Sequence, residues 1–118
     1  MLGRTKEIRN QMLELSDSLD RLQCLHNKYE DKTAYIVAPG PSLRNHNEEK
    51  LRDFLSDKFV IGIKQMYDMY ADVTDIHLMN FCNYKEYNYN DSTIVSWIVF
   101  MQDQPYYLIE NDMRCDFM

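Results

Sequence analysis

The chain of 118 residues predicts a single α/β domain built on a mostly parallel, Rossmann-like sheet of four or five strands, preceded by an amphipathic helix. Three observations carry this. Short apolar runs alternate with helical patterns from residue 33 onward. Those runs are continuously apolar, the mark of strands covered on both faces. Glycine and proline, three of each, are scarce, and one glycine and two prolines fall together at the end of the first run, in TAYIVAPGPSL.

Residues 2–29 contain no glycine or proline after Gly3. Their apolar positions Ile8, Met12, Leu15, Leu19 and Leu22 follow helical spacing, and Leu13 and Leu25 widen the stripe. One continuous helix is predicted, packed on its own domain. Three heptads of such spacing also permit a helix-mediated homo-oligomer through residues 2–29. The charged hinge YEDK leads into the first strand, TAYIVA, read as buried on both faces. NEEKLRDFLS (47–56) is a helix with acids in its first turn and Leu51, Phe54 and Leu55 on one side. KFVIGI (58–63) is the second strand, QMYDMYAD a short helix and TDIHLMNF (74–81) the third strand. CNYKEYNYND reads as a polar loop, and TIVSWIVF (93–100) as the fourth strand. A turn or short helix near QDQP precedes a fifth strand at YYLIE. The division expected is a helical segment, 1–30, followed by the α/β domain, 31–118.

Composition narrows the function classes. Hydrophobic residues make up 45% of the chain, enough for a core. A net charge of −6 opposes general nucleic-acid binding, which needs a basic field. The N-terminus is charged and lacks an apolar signal region, and there is no long apolar run of the kind that spans a membrane. Cys24, Cys82 and Cys115 are far apart, and His26, His46 and His77 have no ligand spacing. A cytoplasmic protein with no disulfide framework and no metal site is therefore expected.

Parallel sheets bind ligands beyond the carboxyl ends of their strands, so chemistry is expected there. Four features fall on that edge. The Ala38–Leu43 turn reads as a phosphate-binding turn. In it Gly40 supplies backbone freedom and close approach, Pro39 and Pro41 stiffness, and Ser42 a hydroxyl and an amide. Lys64 and Gln65 close the second strand, a lysine there being able to pair with phosphate. Asn80 closes the third and offers an amide to a sugar or base. Tyr84, Tyr87 and Tyr89 are able to stack on a ring. Neither GxxxxGK[ST] nor GxGxxG is present, which leaves an ATPase loop and an ordinary dinucleotide site unsupported. Ser42 lies in no G-x-S-x-G elbow, and adjacent Glu48 and Glu49 do not form a hydrolytic carboxylate pair.

A hydrophobic strand running into G-P-S-L, a second strand ending near Lys64-Gln65 and a third ending in Asn80 resemble the N-terminal half of bacterial sialyltransferases of glycosyltransferase family 42. The 6-hydroxymethylpterin diphosphokinase-like group has a similar turn. The resemblance covers roughly residues 32–81 and implies a nucleotide or nucleotide-sugar partner, with a CMP-sugar as donor. It further implies that Gly40, Pro41 and Ser42 line the donor phosphate and ribose, with Gln65 and Asn80 nearby. The sialyltransferase turn carries glycine-asparagine-glycine where this chain has Ala38-Pro39-Gly40, and an asparagine where it has Lys64. Their catalytic histidine lies downstream, and only His46, just past the turn, is a candidate base here. A truncated enzyme is the corresponding expectation for the chain as a whole. The diphosphokinase alternative implies ATP and Mg²⁺ near Asp72 or Asp75. A third alternative is a non-catalytic domain acting by association through the N-terminal helix.

Overall fold

The computed structural model describes residues 2–80, 87–98, 105 and 114–118. Its centre is a four-stranded, all-parallel sheet, so the α/β class and parallel sheet read from the sequence are present. The strands are β1 (Ala34–Val37), β2 (Phe59–Ile63), β3 (Ile76–Met79) and β4 (Ile94–Trp97), in the spatial order β1-β2-β3-β4. Helix α3 (Glu48–Leu55) joins β1 to β2, and α4 (Met66–Tyr70), extended by a 3-10 turn at Ala71–Val73, joins β2 to β3. Two further helices, α1 (Leu2–Leu13) and α2 (Ser18–Gln23), precede the sheet.

The period-two alternation of each strand sorts its side chains onto two faces. On one face Val60, Met79, Val95 and Trp97 pack with Leu55 of α3 and with Met66, Tyr67 and Tyr70 of α4. On the other, Phe59, Ile76 and Ile94 pack under Ile8 and Met12 of α1. The molecule is thus a three-layer sandwich, with both crossover helices on one side and the N-terminal helix on the other. Gly62 makes room for the buried Met66 at the β2–α4 junction. A methyl group there would collide with the Met66 thioether and lie 3.1 Å from Thr74 Cγ2.

Two buried carboxylates tie the layers together. Asp75, at the amino end of β3, accepts from the Thr5 hydroxyl of α1 (2.5 Å) and from the Val60 amide (2.9 Å). Asp116 does the same for β4, accepting from the Val95 amide at 2.7 Å and from the Arg9 guanidinium of α1 at 3.1 Å. Through Asp116 and a parallel bridge between Ser96 and Phe117, the C-terminal residues lie along the outer side of β4. The turn predicted near QDQP and the fifth strand predicted at YYLIE fall outside the described residues, Pro105 excepted.

Two expectations are corrected. The N-terminal segment is not one helix. Asp17 accepts from the Leu19 amide (2.7 Å) and caps α2, while Arg21 Nε donates to the Leu15 carbonyl, so the chain breaks at 14–17. Only Ile8 and Met12 of the predicted stripe are buried, and Leu13, Leu15, Leu19 and Leu22 are exposed. Nor is β1 buried on both faces. It lies at the edge of the described sheet, beyond the cover of α1, and Ile36 is 66% exposed.

Candidate functional site

The turns after β1 and β2 enclose a cleft of about 290 Å³. Pro39, Gly40, Leu43 and Arg44 form one wall, and Gln65, Met66 and Met69 the other. The cleft stands at the carboxyl ends of neighbouring parallel strands, where loops leaving the sheet diverge.

Of the residues singled out in the sequence, Gly40 and Gln65 come together in this cleft. Pro41 and Ser42 start a 3-10 helix (Pro41–Asn45) and are exposed outside its lining. Lys64 is adjacent, but its contribution is through the backbone: it takes φ 58°, and its carbonyl accepts from His77 Nε2 at 2.8 Å. Asn80 follows β3, one strand further along, and does not line the cleft. His46 faces a separate hollow with Asn45, Asn47, Lys50, Leu51 and Phe54.

Gly40 is not in a left-handed conformation. Its φ of −76° and ψ of 167° are the extended angles that a following proline imposes, and Pro41 supplies that proline. The turn is also poor in amide donors. Pro39 and Pro41 have none, the Gly40 amide donates to Ala38, and the Leu43 amide donates to Gly40. Beyond Pro39, only the Ser42 N–H of the turn has no such partner among the described residues. A cradle of several backbone amides is therefore replaced by one cation, Arg44, which sequence reading passed over. Its signal was modest: a lone arginine two residues past GPS, within reach of any ligand in the turn.

The tyrosine cluster turns inward. Tyr87 is buried and Tyr89 half-buried, and both pack with Tyr67 and His77, ring centroids lying 4.8 to 6.0 Å apart. The Arg114 guanidinium stands 5.3 Å over the Tyr89 ring. Within this cluster the Tyr89 hydroxyl is bonded to His77 (2.6 Å) and that of Tyr67, from α4, to Thr93 (3.0 Å). Tyr84 lies outside the described residues. Burial pushes the Tyr89 phenol up and the His77 imidazole down, so both are held neutral.

Asp75 is fully buried, and desolvation raises its pKa despite the bonds from Thr5 and Val60. It stands at the amino end of its strand, away from the cleft, and Asp72 pairs with Arg52 at 3.1 Å. Neither aspartate lines the cleft. Among the described residues no three His, Cys, Asp or Glu side chains converge as a metal site, and no helix is long and apolar enough to cross a membrane.

No protein-family model, curated protein or solved structure matches this chain.

Proposed function

We propose that the cleft between the β1 and β2 turns binds a mononucleotide, the nucleotide portion of a nucleotide-sugar, in a glycosyltransferase-like domain of the sialyltransferase type with a CMP-sugar as donor. The observation that carries this is the joint placement of Gly40, Arg44 and Gln65 around one cleft at the carboxyl ends of two parallel strands. Arg44 offers a planar, permanently charged fork for phosphate. Gln65 offers an amide for a base edge, and Leu43, Met66 and Met69 an adaptable apolar bed for a ring. At about 290 Å³ the cleft sits at the small end of the range for ligand sites, roughly 300–1,000 Å³. That size suits one nucleotide and not the sugar as well.

The proposal is for binding first. None of the lining residues is a general base, and His46 opens onto a different hollow. The diphosphokinase-like alternative is less well supported, because Asp75 is already bonded to Thr5 and Val60 and Asp72 to Arg52. The test is thermal unfolding with CMP and a CMP-sugar. A ligand at about 100 times its Kd stabilises the folded state by about 2.7 kcal/mol, which is a shift of several degrees in a domain of this size. The expected result is such a shift for the wild type and its loss in Arg44→Ala. No shift at millimolar ligand overturns the proposal.

A second reading has its own observation. Leu13, Leu15, Leu19 and Leu22 are all exposed along the α1–α2 elbow, an apolar surface suited to association with a second copy.

A further inference from the structure

Behind the cleft lies a histidine that its lining does not include. His77, in the middle of β3, is fully buried, and its two ring nitrogens have different partners. Nε2 is 2.8 Å from the carbonyl oxygen of Lys64, and Nδ1 is 2.6 Å from the hydroxyl of Tyr89. A carbonyl can only accept, so the proton resides on Nε2 and Nδ1 accepts from the Tyr89 O–H. The Lys64 carbonyl belongs to the residue that leaves β2 with φ 58°, a left-handed angle uncommon for lysine. That turn aims Gln65 and then Met66 at the cleft.

We propose that His77 is the positioning residue of the cleft: its Nε2–H pins the left-handed turn at Lys64, and its Nδ1 links that turn to the tyrosine-rich segment through Tyr89. The proposal rests on the mononucleotide reading for its ligand, but its geometric content stands apart from it. A buried imidazole is suited to the task because it is rigid and bridges an obligate acceptor on one side and a hydroxyl on the other. The far end of the bridge is also anchored. The Asn90 amide donates to Tyr67 Oη at 3.2 Å, and Arg114 donates to the Asn90 carbonyl at 2.8 Å. The groups facing His77 are Tyr67 and Asp68 from α4, Tyr87 and Tyr89 from the segment before β4, and Arg114 from the C-terminal residues through Tyr89. Desolvation outweighs the Lys64 carbonyl and Asp68, both of which favour the charged ring, and the ring stays neutral.

The experiment is NMR on the isotope-labelled full chain, following the imidazole nitrogens of residue 77 and the backbone amides of Gln65 and Met66, with CMP titrated afterwards. The wild type is expected to show a protonated Nε2 and a bare Nδ1 at pH 7.5. His77→Phe, which keeps a ring and removes both bonds, is expected to move the Gln65 and Met66 resonances and weaken CMP roughly tenfold or more. His77→Gln, which returns an N–H near the place of Nε2, is expected to restore both, a rescue that mere filling of space would not need. A folded His77→Phe with unaltered resonances at Gln65 and Met66 overturns the proposal. Should that variant not fold, Tyr89→Phe decides: the Nδ1 signal and the Gln65 amide move together, or the link is refuted. If the wild type ignores CMP while the amides respond, the nucleotide reading falls and the positioning role stands.

Discussion

At Gly40 the protein itself makes no demand for glycine. The angles are open to any residue, and an added methyl group meets no atom within 4 Å. Alanine there restricts the unfolded chain and is expected to leave stability unchanged or raise it by about 0.4–1 kcal/mol. Gly40 lines the cleft, so if close backbone approach to a ligand matters there, the added methyl group is expected to lower CMP affinity. Chemical denaturation and a CMP titration on Gly40→Ala check this together. A variant that binds as the wild type does removes close backbone approach from the site. The break after β1 is legible in the sequence, but the conformation of its glycine is not. A glycine there suggests conformational freedom, although the proline that follows confines Gly40 to extended angles. Arg44 was missed because a single arginine in a loop has no periodicity or motif to distinguish it. His77 was visible only as a polar residue in an apolar strand, since its partners lie 13 residues before it and 12 after.

Among the elements, the strands were the most legible, because a continuous apolar run between turn formers has few other solutions. Exposure was less so. TAYIVA and TIVSWIVF look alike as text, yet β4 is buried along its whole length while β1 alternates at an edge. Edge position follows from chain order in space, which hydropathy does not encode. The N-terminal helix shows a second limit. Its four-three spacing of apolar residues continues through Ser16-Asp17-Ser18, but Asp17 offers the backbone an alternative partner and starts a new helix. The break leaves Leu19 and Leu22 facing outward, with Leu19 62% exposed. If these leucines form a contact between copies, the wild type is a dimer by light scattering and the double variant Leu19→Ser, Leu22→Ser is a folded monomer. A wild type that is already monomeric removes that reading. Deleting the whole segment is a poorer test, since it would also strip Ile8, Met12 and Thr5 from the core.

Over the molecule as a whole, buried ionisable groups were the least legible feature, because each becomes interpretable only when distant segments meet. Asp75 is 70 residues from Thr5, and Asp116 is 107 from Arg9. These contacts join α1, the sheet and the C-terminal residues, and the buried His77 and Asp75 make stability depend on pH. His77 sets the clearest part of that dependence. Its folded-state pKa is lowered below 6.5, chiefly by desolvation, so below pH 6.5 the unfolded chain takes up a proton that the folded protein does not. Stability from this group is complete above 6.5 and is lost as pH falls below it, with a slope of at most about 1.4 kcal/mol per pH unit for one proton. Asp75 acts in the opposite sense. Its pKa is raised, so from 3.8 upward to its folded value stability declines with rising pH. The two are separated by comparing wild type with His77→Gln in urea between pH 5 and 8. The stability of the wild type relative to the variant is expected to rise with pH up to about 6.5 and then level off. A difference that stays constant across that range would mean that His77 titrates alike in both states, and so is not held neutral inside the fold.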